Sequence, residues 1–354
     1  MNIEVKLSDK LKQKPADETK LGFGEIMTDH MFIMNYDEGQ GWHSPRIVPY
    51  GPIELDPRAA VLHYGQSVFE GLKAYRTPED KILLFRPEKN IARLNATNDR
   101  MCIPQLDEKF AVEAIKRLVD IERNWVPSAE GTSLYIRPYI FAVDHKIGVH
   151  PGKHFMFMII LSPVGAYYPE GLNPVDIYVE EKYVRAVRGG VGAVKTAGNY
   201  AASFKAQDEA QKKNFTQVLW LDAIERRYIE EVGSMNVFFI IDDEVITPAL
   251  DGALLPGITR MSCIELMRGC GMKVSERKIS IDEVAEAADS GHLSEAFGTG
   301  TAAVVSPIGR LSRGGRDIII NSGKTGKVTT RLYNKLTGIQ TGVIKDEFGW
   351  TVEV

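Results

Sequence analysis

The chain has 354 residues, 44% of them hydrophobic and 25% charged, and carries a net charge of −4. That length provides for two domain-sized cores, and nothing in the slightly acidic balance argues for a basic surface for nucleic acid or membrane. The longest apolar run, Phe155 to Leu161, has the length of a strand and not of a membrane span.

The first twenty residues are polar and charged, without the apolar core of a signal peptide, and read as a weakly committed arm. Cys102, Cys263 and Cys270 form no CxxC and cannot all pair, which fits a reducing, cytoplasmic setting. Phe23 to Asn35 reads as a strand and Trp42 to Pro45 as a turn. Leu72 to Tyr75 and Lys81 to Phe85, around Pro78-Glu79-Asp80, predict a hairpin. Pro87 opens a helix at its preferred first position, with Ile91, Leu94 and Met101 near helical spacing and Arg93 among them. Asp107 caps a second helix, whose Phe110, Ala111, Ala114, Ile115, Leu118 and Val119 make one apolar face. Ser133 to Val143 and His154 to Val164 are β-rich, the second so apolar that it belongs in the middle of a sheet. His145, His150 and His154 flank Pro151, which breaks any helix that would align them. No carboxylate or cysteine recurs at ligand spacing, so no metal site is expected.

Gly165 to Pro174 is a Gly/Pro-rich stretch between two structured halves. The expected division is a smaller N-terminal domain over 1–167, a linker over 168–175 and a larger C-terminal domain over 176–354. In the second half, Val175 to Val179 and Gln217 to Leu221 read as strands and Asn199 to Lys212 as one helix. Val237 to Ile241 turns back at Asp242-Asp243. Leu255-Pro-Gly-Ile258-Thr259 opens a helix ending near Cys270, on which Cys263 and Cys270, seven apart, are read as facing different sides. Ser280 to Glu283 is a capping box. Phe297-Gly-Thr-Gly-Thr301-Ala302-Ala303 reads as a glycine-rich loop after a strand, and Thr329 to Ile339 as the last helix.

The stretch with the most chemical content is Gly189 to Tyr200. Four glycines surround a single lysine, Lys195. Glycine lets backbone approach a ligand closely, and an amine among apolar, backbone-rich neighbours is a usable nucleophile. A phosphate-cradling P-loop needs Gly directly before the Lys, where Val194 stands. The dinucleotide spacing G-x-G-x-x-G also fails. What remains is a loop that presents one lysine and then opens a helix, as a Schiff-base lysine for pyridoxal 5′-phosphate requires. Such a site also needs an anion cup. Pro256-Gly-Ile258-Thr259 at a helix start and Gly298-Thr-Gly-Thr301 as a backbone nest are the two candidates.

Gly-Val-Gly-x-x-Lys195-x-x-Gly-Asn-Tyr200, Glu231-Val-Gly-Ser234-Met-Asn236, Leu255-Pro-Gly-Ile258-Thr259-Arg and Phe297-Gly-Thr-Gly-Thr301-Ala302 occur in that order. Together with Leu62-His-Tyr64, Phe69-Glu-Gly-Leu-Lys73 and Tyr135-Ile-Arg137-Pro upstream, this pattern resembles the branched-chain aminotransferases, in particular the longer subgroup that includes the animal enzymes. The resemblance implies the two-domain α/β architecture, with mixed sheets, of the fold-type IV pyridoxal phosphate enzymes. It implies that Lys195 carries the cofactor, that Glu231 faces the pyridine nitrogen and that Tyr200 meets the ring phenolate. Arg93, backbone at Ile258 and Thr259, and the Thr301 hydroxyl would hold the phosphate. Ser234 stands where the family commonly has threonine and keeps the hydroxyl.

For substrate, the same resemblance implies that Tyr64 and backbone at Thr301 and Ala302 bind the α-carboxylate. Phe23, Phe69, Tyr135 and Tyr167 would wall an apolar pocket, and Arg137 would accept the γ-carboxylate of 2-oxoglutarate or glutamate. Val149 would reach the pocket of a second subunit, giving a homodimer with shared sites. The reaction implied is reversible amino transfer between leucine, isoleucine or valine and 2-oxoglutarate. D-amino-acid aminotransferases and aminodeoxychorismate lyases share the lysine and the glutamate and are the alternative, although they are usually shorter and lack the Tyr135-Ile-Arg137 pattern. The animal members carry a CxxC after the second glycine-rich motif. Here those places read Ala303 and Ser306.

Overall fold

The computed structural model describes residues 1–165 and 172–354, so Tyr167 and the first part of the expected linker lie outside the described residues. The chain forms two compact units. One comprises Met1–Tyr167, Lys195–Ala197 and Gly338–Val354, the other Tyr168–Val194 and Gly198–Thr337. Each is an α/β body on a mixed sheet, the architecture expected from sequence.

The first unit is built on one sheet. Its order is Glu4–Val5, Gly41–Pro49, His30–Asp37, His154–Val164, Ser133–Ala142, Leu72–Arg76, Ile82–Phe85 and Thr351–Glu353, with Ser67–Phe69 pairing beside Ser133–Ala142. His154–Val164 is central, as its apolar run requires, and Leu72–Arg76 and Ile82–Phe85 form the predicted hairpin. The predicted helices form as Pro87–Arg100 and Glu108–Ile121, the second capped by Asp107, whose carboxylate accepts the Phe110 N–H. Ile91, Leu94, Ile115 and Leu118 pack with Leu134, Ile136, Ile140 and Phe157 in one buried cluster. Each such side chain contributes about 1.5–3 kcal/mol by leaving water. Strand alternation sends the odd positions of Ser133–Ala142 to the other face. Tyr139 and Phe141 there join a second apolar cluster with Met31, Ile33 and Met158.

Several expectations for this unit are corrected. The strand begins only at His30, because Gly22 and Gly24 take positive φ and bend the chain before it. Trp42 to Pro45 lie inside the strand Gly41–Pro49, since Gly39 and Gly41 supply the positive-φ turn a step earlier. Ser44, with φ of 53°, and Pro45 form a bulge where the register shifts between Ile33 and Asn35. The N-terminal arm is docked, not loose: Glu4–Val5 pairs with Arg46 and Ile47, the Ser8 N–H donates to His30 Nε2 at 2.8 Å, and the Lys12 N–H donates to Asp29 at 2.7 Å. The sequence reading gives the C-terminal end to the second domain, but Thr351–Glu353 pairs with Ile82–Phe85 in the first sheet.

In the second unit the sheet order is Ile229–Val232, Gln217–Leu221, Val175–Glu180, Val304–Arg313, Leu293–Gly300, Met235–Ile241, Glu244–Thr247 and Lys273–Glu276, with Arg316–Ile319 beside Val304–Arg313. Ile229–Val232 also pairs with Met235–Ile241, which closes six strands into a barrel. Ile177, Leu219, Val237, Phe239 and Leu311 belong to its buried cluster. Asp242 and Asp243 both take positive φ, the backbone of a tight hairpin turn. Ile258–Gly269 and Ile281–Asp289 form as helices, the latter capped by Ser280, which accepts the Glu283 N–H. The last helix is Lys327–Gln340.

Here too the structure departs from expectation. Asn199 to Lys212 is not one helix but two, Ala197–Ala201 and Phe204–Gln211, interrupted where the Ser203 hydroxyl bonds back to the Tyr200 carbonyl at 2.6 Å. Phe297 to Gly300 continue the strand Leu293–Gly300, leaving only Thr301 to Ala303 as turn. Positions seven apart on a helix lie on nearly the same side, not on different sides, and about 10 Å apart along the axis. Distance is therefore what forbids a Cys263–Cys270 bond: Cys263 is buried in the helix and Cys270 is its exposed C-cap.

Candidate active site

In the first unit, Lys195–Ala197 lies along Ser67–Phe69. Val68 bridges Thr196, the Phe69 N–H donates to the Lys195 carbonyl at 3.1 Å, and the Lys195 N–H donates to Thr97 Oγ1 at 3.2 Å. The ammonium of Lys195 stands 4.9 Å from the centroid of the Phe69 ring. Phe69 also faces Arg137, whose guanidinium is 4.7 Å from the ring centroid and donates to the Tyr135 hydroxyl at 3.0 Å. Phe23 meets the edge of Tyr135 at 5.0 Å. Gly71 is required beside this group, since a Cβ there would fall 2.1 Å from the Tyr135 hydroxyl. Phe23, Phe69, Tyr135, Arg137 and Lys195 are thus one contact chain. The buried Arg137 Nε has no hydrogen-bond partner among the described residues, so a positive charge is held there with donor capacity to spare.

Arg93, on Pro87–Arg100, is clamped by Glu70 through two bonds, Nε to Oε1 at 2.7 Å and Nη2 to Oε2 at 2.9 Å. Burial alone would raise the Glu70 carboxyl, but Arg93, Lys195 and Asn90 hold it below its ordinary value. Tyr64, at the end of Ala60–Tyr64, and Val149, 91% exposed, face solvent in the single chain. Of the three histidines between 145 and 154, His154 bonds Asp37 and His150 the Pro151 carbonyl, while His145 lies 4.0 Å from Asp56.

In the second unit, Glu231 is 3% exposed on Ile229–Val232. Its Oε1 accepts the Leu255 N–H at 2.9 Å and its Oε2 lies 3.4 Å from Arg185 Nε. Glu231, Arg185, Asn199, Tyr200, Ser234 and Leu255 line one cavity of about 170 Å³. The glycine loop is folded by close backbone approach: a Cβ on Gly192 would lie 2.1 Å from the Ala253 carbonyl, which also accepts a bond from Arg185. Asn199 ties the loop down by donating to the carbonyls of Val191 and Val194 at 2.7 and 2.9 Å.

The helix Ile258–Gly269 starts at Gly257 with no side-chain cap, although Ile258 and Thr259 are buried. Gly257 has to be glycine, because a Cβ would fall 2.0 Å from Asn236 Oδ1. A buried, uncapped helix start calls for an acceptor on its first N–H groups, and an anion suits both those donors and the dipole. Thr301 and Ala302 stand half-buried in the turn after Leu293–Gly300.

The model of amino-transferase class IV matches residues 67–311. The chain is 57% identical over 352 residues to branched-chain-amino-acid aminotransferase 2 of Bacillus subtilis (strain 168), covering 99% of this chain and 97% of the relative. The chain belongs to the branched-chain-amino-acid aminotransferases of class IV. Among solved structures it resembles the branched-chain amino acid aminotransferase of Escherichia coli, with a TM-score of 0.73 and 27% identity over 91% of this chain and 98% of that one. It also resembles the T.th. branched-chain amino acid aminotransferase with pyridoxamine 5′-phosphate, with a TM-score of 0.76 and 28% identity over 91% and 97%.

The cofactor of this aminotransferase family is pyridoxal 5′-phosphate. The donor set here fits it. Within the first unit a lysine amine and a clamped arginine are present; within the second, a buried carboxylate, a phenol on the same cavity and an uncapped helix start. Sequence reasoning missed Glu70 and Thr97, which hold Arg93 and the Lys195 backbone in the first unit, and Arg185 and Asn199, which line the Glu231 cavity in the second. Glu70 stands inside a quoted motif, but nothing in spacing pairs it with a residue 23 positions on. Arg185 carried no signal at all.

Proposed function

We propose that the protein catalyses reversible amino transfer between leucine, isoleucine or valine and 2-oxoglutarate, in the cytoplasm and as a homodimer. The observation that carries this reading is the group Phe23–Tyr135–Arg137–Phe69–Lys195, an apolar aromatic wall holding one arginine beside the lysine amine. Two kinds of substrate must use one pocket. Phe23, Phe69 and Tyr135 suit a branched aliphatic side chain, and the Arg137 guanidinium, with its partnerless Nε, suits the distal carboxylate of glutamate. Apolar walls separate leucine, isoleucine and valine only modestly, since one methylene is worth about 1–3 kcal/mol.

Bound pyridoxal 5′-phosphate supplies an electron sink for the charge left at the substrate Cα. Lys195 would hold the cofactor and move the Cα proton. Glu231, buried against Arg185, would face the pyridine nitrogen, and Tyr200 the phenolate oxygen. The helix start at Ile258 and Thr259, the Thr301 hydroxyl and Arg93 would hold the phosphate, while Ser234 offers a further hydroxyl. Tyr64 and the Thr301 and Ala302 N–H groups take the α-carboxylate. Tyr167, the further wall residue that the family resemblance implies, lies outside the described residues.

The dimer reading is supported by the apolar cluster of Met31, Ile33, Phe141 and Met158, against which Val48, Tyr50, Ile53, Leu55 and Val61 pack while only partly buried, and by the 91% exposure of Val149. Among the described residues no helix is long and apolar enough to cross a membrane. Steady-state assays with leucine, isoleucine and valine against 2-oxoglutarate test the proposal. Comparable turnover of all three is expected. Activity confined to D-alanine, or release of pyruvate from aminodeoxychorismate, would overturn it in favour of another fold-type IV reaction.

A further inference from the structure

Glu70 carries its charge into a completely buried place, at 0% exposure. Its carboxylate is saturated by geometry. Oε1 accepts from Arg93 Nε, while Oε2 accepts from Arg93 Nη2 at 2.9 Å, Asn90 Nδ2 at 2.8 Å and the Gly71 N–H at 3.1 Å. Asn90 and Arg93 are three apart on Pro87–Arg100, so one face of that helix reaches the carboxylate with both side chains. Asn90 is held further by donating to the Gly71 carbonyl at 3.1 Å.

A guanidinium has two hydrogen-bonding edges. Glu70 engages the Nε/Nη2 edge, which fixes the guanidinium plane of Arg93 and aims the Nη1/Nη2 edge in one direction. An arginine side chain otherwise loses much rotamer freedom on meeting an anion, and a pre-set fork avoids that cost at the moment of binding. The neighbouring residue fixes the other end of the site. Phe69 holds the Lys195 carbonyl by its N–H and carries the Lys195 ammonium over its ring. The dipeptide Phe69-Glu70 therefore governs the placement of both the amine and the guanidinium, and with them the spacing that a ligand bearing an aldehyde at one end and a phosphate at the other has to match.

We propose that Glu70 is a positioning residue for the cofactor phosphate, acting through Arg93 and not by touching the cofactor itself. This rests on the reading of Arg93 as a phosphate ligand, and the experiment separates the two. Holoenzyme of wild type, Glu70→Gln, Arg93→Gln and the double variant is dialysed, and retention of pyridoxal 5′-phosphate is compared with retention of pyridoxal, which lacks the phosphate. The 31P resonance of the bound cofactor is recorded in parallel. Glu70→Gln is expected to weaken retention of the phosphorylated cofactor roughly 10- to 100-fold, as loss of an outer partner does for ligating groups, to shift the 31P signal, and to leave pyridoxal unaffected. In the Arg93→Gln background the same change is expected to add little.

If Arg93→Gln retains the cofactor like wild type, the phosphate reading of Arg93 falls and the role of Glu70 with it. If Arg93→Gln loses it but Glu70→Gln does not, or if Glu70→Gln weakens pyridoxal equally, the positioning role alone is overturned. Since Glu70→Gln leaves a buried guanidinium without its counter-charge, Asn90→Ala provides a second arm. It removes one partner of the clamp without unpairing a charge. Its expected effect is a loss of a few-fold in the same phosphate-dependent retention, and unchanged retention there would also count against the proposal.

Discussion

Arg185 and Glu231 face each other across 3.4 Å, both buried, with the Leu255 N–H bonded to the other carboxylate oxygen. Opposite charge at that distance favours the ionised carboxylate, and the backbone bond favours it further. A carboxylate placed this way is suited to the proposed role of facing a cationic ring nitrogen. Glu231→Gln is therefore expected to retain cofactor but to slow Cα proton removal from leucine by about 100-fold or more, the scale on which single electrostatic groups act in such sites. Single-turnover stopped-flow measures this, and a wild-type rate would reassign the residue.

The backbone of Lys195 is tied at both polar groups, its N–H donating to Thr97 Oγ1 and its carbonyl accepting from the Phe69 N–H, ties that do not depend on its side chain. Lys195→Ala is expected to abolish both the visible absorption of the purified protein and transamination. A variant that stays coloured and active would show that another amine carries the cofactor.

The adjacent Glu230 points to the other face of the strand and behaves differently. Burial pushes its pKa up to about 7, with Arg185 opposing and Asp251, Glu231 and Asp222 reinforcing the rise. Arg188, Tyr228 and Lys278 line the same small cleft. A carboxyl whose folded pKa lies above its unfolded value contributes most to stability below the unfolded pKa, and that contribution is lost as pH rises through the folded one. Between about pH 4.5 and pH 7 this group alone is expected to cost up to about 3 kcal/mol. Glu230→Gln should flatten that part of the stability curve and be the more stable protein at pH 8. Urea unfolding across pH measures it; an unchanged slope would mean that Glu230 stays ionised in the native state.

Thiol chemistry should leave the enzyme nearly untouched. Cys263 is buried, and burial pushes its thiol pKa up, away from the reactive thiolate. Cys102 and Cys270 are exposed, and Ala303 and Ser306 replace the paired cysteines of the animal members. A thiol reagent is expected to label two cysteines in the native protein and the third only after unfolding. Mild peroxide should change activity less than about twofold, since the two exposed thiols, Cys102 and Cys270, are both free and form no pair. Reversible loss restored by reductant would reveal a redox control on one of the two exposed thiols.

What the sequence determined by itself was whatever local physics decides. Pro87 and Asp107 start their helices because a missing N–H and an acceptor side chain act within one turn. Ser280 caps its helix and the Asp242-Asp243 pair turns its hairpin for the same reason. The order of motifs around Lys195 and Glu231 carried the family, since those residues recur at short, fixed spacings. The tertiary structure decided what depends on distant partners. Thr351–Glu353 joins a strand some 270 residues earlier, and Phe297 to Gly300 become strand because Met235–Ile241 and Val304–Arg313 flank them. Glu70 with Arg93 and Arg185 with Glu231 belong to the same class. A buried charge is tolerated only where a counter-charge meets it, and that meeting is set by packing of whole elements, which no local spacing encodes.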